Sequence, residues 1–269
     1  MWPCKCERLR SEKETCSTLW PGKRKCLRTQ EKSHAGHTRI TCHARVIRHT
    51  GHTRITGREI NLKQMQSARE HAKAIVEVMA AYARQGSNLC LAARAGARSF
   101  QEWAHYPTND AVDTTHQTEF YYHAHAKAER ANDEHGHFHV FSRPKNSTPF
   151  HHLVAISLNP LGRPTRLFLT NQWVTGEVWL SDKKIAPLID RFNCHISGRL
   201  APVSRWISGM VGLFAEDIFL LHQQRMQWLD QGALNAKERA MRLQSQEHHI
   251  VAQCPIDLER SVARALFEA

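Results

Sequence analysis

Residues 120–141 read Phe-Tyr-Tyr-His-Ala-His-Ala-Lys-Ala-Glu-Arg-Ala-Asn-Asp-Glu-His-Gly-His-Phe-His-Val-Phe, and the period of their side chains decides the fold. His123 and His125 are two apart, as are His135, His137 and His139. In a strand, residues two apart point to one face. The opposite faces carry Phe120, Tyr122 and Ala124, then Gly136, Phe138 and Val140. Two such runs joined by residues 126–134 predict a β-hairpin with an apolar face and an imidazole face. Pairing His123 with His137 and His125 with His135 places cross-strand Cβ atoms ~4.5–5.5 Å apart. Several imidazoles are then in reach of one ion.

Outward from the hairpin, His152–Leu158 is a Val/Ile/Leu run ending at the turn Asn159-Pro-Leu-Gly162, and Thr165–Val174 returns as a fourth strand. Short connections favour an antiparallel meander. The flanks read as helices. Ser67 and Glu70 form an S-x-x-E capping box, followed by Ala68, Ala72, Ile75, Met79 and Tyr82 at helical spacing over about 67–84. Ser181 precedes Ile185, Leu188, Ile189 and Phe192. Val203, Ile207, Met210, Phe214, Ile218 and Leu221 mark the core stripe of one long helix. Asn235 with Glu238 caps another helix, and a last one covers about 256–267. The expectation is an α+β fold: an antiparallel sheet of four or more strands, carrying the His-rich hairpin and packed with N- and C-terminal helices.

Composition divides the 269 residues unevenly. The net charge is +12, yet residues 1–58 alone hold 14 Lys/Arg against 4 Asp/Glu, with five of the eight Cys and only seven Leu, Ile and Val. So little apolar area does not offset the entropy of ordering a backbone, so residues 1–60 are expected to be a disordered basic tail or sequence upstream of the true start, with one domain over 61–269. Gly-His-Thr-Arg-Ile-Thr occurs at 36–41 and at 51–56, too short and polar a repeat for a solenoid. Nucleic-acid binding, if any, is expected only through this tail. No run reaches the ~18 apolar residues of a membrane span. The N-terminus lacks the apolar core of a secretory signal, so the cytoplasm is the expected location. Phosphate-cradling glycine motifs, H-E-x-x-H and G-x-S-x-G do not occur, so no nucleotide cofactor is expected. Oligomeric state has no signature.

Neutral imidazole binds Zn, Fe, Ni and Cu, and a neighbouring carboxylate suits Fe(II) or Mn(II). The candidate ligands are His123, His125, Glu129, His135, His137 and His139. Glu134, His152, Asn171, Thr175 and Glu177 are candidates for supporting the ligands or positioning a small-molecule substrate. The ribbon therefore points to a divalent first-row ion (Fe, Mn or Zn) in a metal-binding protein and possible mononuclear metalloenzyme, oxygenase-like or hydrolytic. Two other readings are a non-catalytic binding module and a purely structural hydrogen-bond network of histidines.

His123-x-His125-x3-Glu129-x6-Gly136 resembles the latter part of the first cupin motif. That likeness implies a small β-barrel with those two His and Glu129 on a metal. Gln117 and Thr165 stand where the two cupin motifs have Gly and His. Tyr121-Tyr-His-Ala-His125, Glu134-His-Gly-His-Phe-His139, His152-Leu-Val-Ala-Ile156 and Thr170-Asn-Gln-Trp-Val-Thr-Gly-Glu177 together resemble an uncharacterised bacterial family. This second likeness spans roughly 65–230 and implies no activity.

Overall fold

The computed structural model describes residues 57–131, 133–144, 149–232 and 234–268. The expected tail therefore lies outside the described residues, apart from its last few. Those open the first helix, α1 (Gly57–Arg84), ten residues before the expected cap. Residues 57–66 contain no Pro and several good helix formers, so nothing local stops the helix there. Ser67 is consequently interior, its hydroxyl 3.2 Å from His71 Nε2 one turn on.

After α2 (Leu89–Ala93), six strands follow: β1 (Tyr106–Asp113), β2 (Thr118–His123), β3 (Gly136–Ser142), β4 (His151–Leu158), β5 (Pro164–Thr170) and, much later, β6 (Ile250–Pro255). They form one antiparallel sheet in the order β1-β2-β3-β4-β5-β6. The four expected strands are β2 to β5. β1 and β6 extend the meander to either edge, so the barrel that the cupin likeness implies is not what forms. β5 also ends earlier than expected. The Asn171 side chain accepts from the Gln172 N–H and starts the short helix α3 (Gln172–Thr175), which Gly176 closes in the left-handed conformation at φ 71°. Asn171, Thr175 and Glu177 are therefore not neighbours on one strand face.

One sheet face carries Phe120, Tyr122, Phe138, Val140, Ile156, Leu167 and Leu169, all in the core. The helices cover it: α1, α4 (Asp182–Asp190), α5 (Ala201–Leu213) and α6 (Ala215–Asp230). α1 lies close on α5 because Gly209 and Gly212 have no Cβ. A Cβ there would meet Ile75 Cγ1 at 2.9 Å and the His71 ring at 2.3 Å. The stripe from Val203 to Leu221 is buried as expected, but the helix breaks at Phe214, so one expected helix is two. Asn235 and Glu238 form the expected capping box of α7 (Ala236–Leu243). α8 (Leu258–Phe267) is capped by Asp257. No helix among the described residues is long and apolar enough to cross a membrane.

Candidate metal centre

The other sheet face carries the histidines. β2 and β3 pair with Tyr121 opposite His139 and His123 opposite His137, which is the expected register as far as the ladder runs. It stops there, because β2 ends at His123 and β3 begins at Gly136. Gly136 is required at this end: a Cβ would lie 2.5 Å from the His123 carbonyl oxygen and 2.7 Å from the Tyr122 hydroxyl. The hairpin pulls tight only with hydrogen in that place.

Three imidazoles converge. His123, His137 and His139 are buried, and each offers a ring nitrogen within 4.8 Å of the other two. Nε2 of His137 lies 2.8 Å from Nε2 of His123 and 3.1 Å from Nε2 of His139. Glu134, just before the strand, brings Oε1 to 2.8 Å from His137 Nδ1. Its Oε2 accepts from the Ser157 hydroxyl at 2.7 Å and from the Arg166 guanidinium at 2.7 Å. Burial alone would raise the Glu134 pKa. The hydrogen bonds from His137 and Ser157 and the charge of the Arg166 guanidinium hold it down at about 2. The carboxylate is thus ionised and accepts from the Nδ1–H, which leaves Nε2 as the nitrogen of His137 that can offer a lone pair to an ion.

His139 is supported differently. Its Nδ1 lies 3.0 Å from His152 Nε2 on β4. Burial, and then the neighbouring imidazoles and cations, press His123, His139 and His152 well below the ordinary histidine pKa. These rings are neutral at physiological pH, the form that binds metals. The walls are aromatic: Phe168 stands edge-on to His137, with ring centroids 5.1 Å apart, and Tyr121 lies 5.1 Å from His139.

The remaining candidates are placed as follows. His125 borders the triad, with ring centroids 5.0 Å from His123 and 5.2 Å from His137, and stacks on Trp103 at 4.4 Å. His135 turns to the opposite side of the sheet, where its Nδ1 lies 2.7 Å from the Tyr122 hydroxyl. Glu129 is exposed in a 3-10 turn over Lys127–Glu129 and does not join the imidazoles. Asn171 is fully buried as an anchor, its amide donating to the carbonyls of Arg242 (3.0 Å) and Ser245 (3.1 Å). The Thr175 hydroxyl is buried without a hydrogen-bond partner. Glu177 lies behind His152 and accepts from its backbone N–H at 2.6 Å.

Sequence reasoning missed Ser157, Arg166 and His105. Extending the hairpin's alternation over the next two strands finds the first two, since His137 lies opposite Ser157 on β4 and Ser157 opposite Arg166 on β5. His105 carries no such signal. It precedes β1, stacks on Tyr121 at 3.8 Å, and its Nδ1 lies 2.9 Å from Asp110 Oδ1.

In any protonation state, His137 Nε2 either accepts at one lone pair or donates one proton. Only one of its two close nitrogen contacts is then a hydrogen bond. The other leaves a buried nitrogen unsatisfied, at a cost of about 1–3 kcal/mol. A cation among the three satisfies all of them. Metal–imidazole bonds of ~2.0–2.1 Å put adjacent ligand nitrogens ~3.0–3.4 Å apart, so the His123–His137 and His137–His139 pairs need to open by only a few tenths of an ångström.

A family model described as a domain of unknown function (DUF6969) matches residues 69–256. The chain belongs to that family. The match includes all six strands and every histidine of the centre. No curated protein and no solved structure matches the chain.

Proposed function

We propose that this protein is a mononuclear metalloenzyme in which His123, His137 and His139 hold a divalent first-row ion. The observation that carries the reading is the double approach of His123 and His139 to the single Nε2 of His137, which hydrogen bonding accounts for only once.

The donor set narrows the chemistry. The nearest carboxylate, Glu134, is committed to His137, Ser157 and Arg166, so the ligands are three neutral nitrogens. Such a set suits Zn(II) or Fe(II) better than Mn(II), which prefers oxygen. It also differs from the two-His, one-carboxylate triad of many Fe(II) oxygenases. Neutral ligands leave the ion's charge uncompensated, which lowers the pKa of a bound water most effectively. Water activation is therefore favoured over dioxygen activation. Three protein ligands leave a position for that water, as in catalytic rather than structural zinc sites. The depth of the triad, with none of the three residues more than 3% exposed, restricts the substrate to a small molecule.

The test is metal content of the full chain by mass spectrometry, beside His137→Ala and His123→Ala. One ion per chain, lost in both variants, is expected. No ion in any of them, even after reconstitution with Zn(II), Fe(II) and Mn(II), overturns the proposal. Water-proton relaxation of the Co(II)-loaded protein then separates the two metal readings: an exchangeable water is expected, and its absence replaces the enzyme with a closed, non-catalytic module.

A further inference from the structure

β3 and β4 pair with Val140 opposite Val154 but Phe141 opposite His152. Leu153 is thus an extra residue, a β-bulge. One extra residue reverses the alternation beyond it. In an unbroken ladder His152 would stand opposite Ser142, on the helix-covered face. With the bulge it shares a face with Phe141 and His139, and only so does its Nε2 reach His139 Nδ1.

Side chains take the backbone groups on either side of the irregularity. The His152 N–H donates to Glu177 Oε2 at 2.6 Å, and the Leu153 carbonyl accepts from His222 Nε2 at 2.9 Å. One guanidinium joins those two side chains. Arg225 donates through Nη1 to Glu177 Oε1 at 2.6 Å and through Nη2 to His222 Nδ1 at 3.0 Å. Arginine only donates, so His222 carries its proton at Nε2, as the bond to Leu153 requires. All three side chains are at most 1% exposed, and Arg225 packs 4.3 Å over the Trp179 ring. A buried ion pair is a poor device for stability, since desolvation consumes most of its attraction. Fixing the form of a bulge is a better account of it.

We infer that Glu177, Arg225 and His222 are positioning residues of the metal centre, clamping the β4 bulge so that His152 Nε2 accepts a hydrogen bond from the Nδ1–H of His139 and turns that ligand's Nε2 to the ion. The inference rests on the metal reading above. Removing the clamp lets β4 slip toward regular pairing and His152 leave His139. The triad stays, with one ligand unoriented.

The experiment measures Zn(II) affinity by chelator competition and the Co(II) absorption spectrum in the full chain. The variants are His152→Ala, Glu177→Gln and the double substitution, with Ser204→Ala as a buried control on α5, where the hydroxyl accepts from the Ile196 N–H at 3.2 Å and donates to the Ala201 carbonyl at 3.0 Å. Each single variant is expected to keep one site but weaken affinity about 10- to 100-fold, with an altered Co(II) spectrum. The double variant is expected to bind no more weakly than the weaker single one, because Glu177 acts through His152. Ser204→Ala is expected to melt lower with unchanged affinity. The inference is overturned if Glu177→Gln behaves like that control, or if the two losses multiply. If Glu177→Gln does not fold, Arg225→Lys gives the same readout, since it keeps the charge and loses the two-armed grip. A wild-type chain that takes up no ion removes both readings. One that binds an ion as tightly as its Glu177→Gln variant removes only this one.

Discussion

Acid should unfold the metal-free protein in a pH range set by histidines rather than carboxylates. His123, His139, His152 and His222 are each at most 3% exposed, and burial presses all four well below their ordinary pKa. The unfolded chain takes up protons at these rings near pH 6.5 while the folded chain does not. A depressed histidine therefore contributes stability that is complete above pH ~6.5 and lost as pH falls. Each such ring costs about 1 kcal/mol at pH 5.5 and about 2 kcal/mol at pH 5.0 relative to neutral pH. Four together cost about 8 kcal/mol at pH 5.0, comparable to the whole stability of a domain, about 5–15 kcal/mol. Two further groups nearly cancel: His125, pressed to about 3 mainly by burial, adds a fifth ring, and Glu177, raised by burial to about 7, favours the folded chain as pH falls from 7 toward 4.5. The other carboxylates act lower. Glu134, held near 2, contributes stability present above its unfolded pKa and lost only as pH falls below about 4.5. After chelator treatment, tryptophan fluorescence and far-UV circular dichroism should report unfolding between about pH 6 and 4.5. Urea midpoints across that range should give a slope near four protons per molecule, about 5 kcal/mol per pH unit. Zn(II) should move the transition to lower pH, since it binds only the folded, deprotonated site. A metal-free protein stable to pH 4, or a slope near one proton, would refute the reading of a buried, neutral cluster.

Glu134→Gln removes the charge that fixes the His137 proton and leaves Arg166 without its carboxylate partner. Metal affinity should fall about 10- to 100-fold, read by chelator competition, with the ion still bound at saturation. Gly136→Ala drives a methyl into the His123 carbonyl and the Tyr122 hydroxyl, which should cost at least about 1–3 kcal/mol. At roughly 2–4 °C per kcal/mol the melting temperature should drop accordingly, and metal uptake should weaken as His123 and His137 splay. An unchanged melting curve would show that the hairpin end is looser than described. Asn171→Ala removes two amide donors and a helix cap, so it should cost about 2–3 kcal/mol in urea denaturation.

The sheet was readable because its central strands carry strong period-two patterns under short connections. The two edge strands were not. β1 holds Pro107 and a Thr-Asn-Asp run, and its register shifts between Tyr106 and Ala111, so its alternation is broken where it would be sought. β6 is a six-residue strand set between α7 and α8, separated from its partner β5 by five helices. Only the complete sheet shows that β5 needs a neighbour. The helix from Gly57 was hidden for the opposite reason: a composition average over 1–58 merges its first residues with the basic segment before them.

The site divides along the same line between local and long-range information. That His123, His137 and His139 share a face follows from parity and one hairpin register, both local. The rejection of Glu129 in favour of Glu134 turns on where the strand begins, and Gly136 marks that point: the residue that lets the hairpin close lies two places after the carboxylate that supports it. His152 is the instructive case. Counting by twos from Ser157, which faces the triad, puts His152 on the wrong side of the sheet. What corrects the count is one extra residue in β4, held by Glu177 from the loop after α3 and by His222 and Arg225 from a helix some 70 residues later in sequence. A bulge leaves no mark in the strand that bears it when the groups that stabilise it are this distant. The parity of a strand can therefore be trusted only as far as its backbone hydrogen bonds are known to be made by its neighbours.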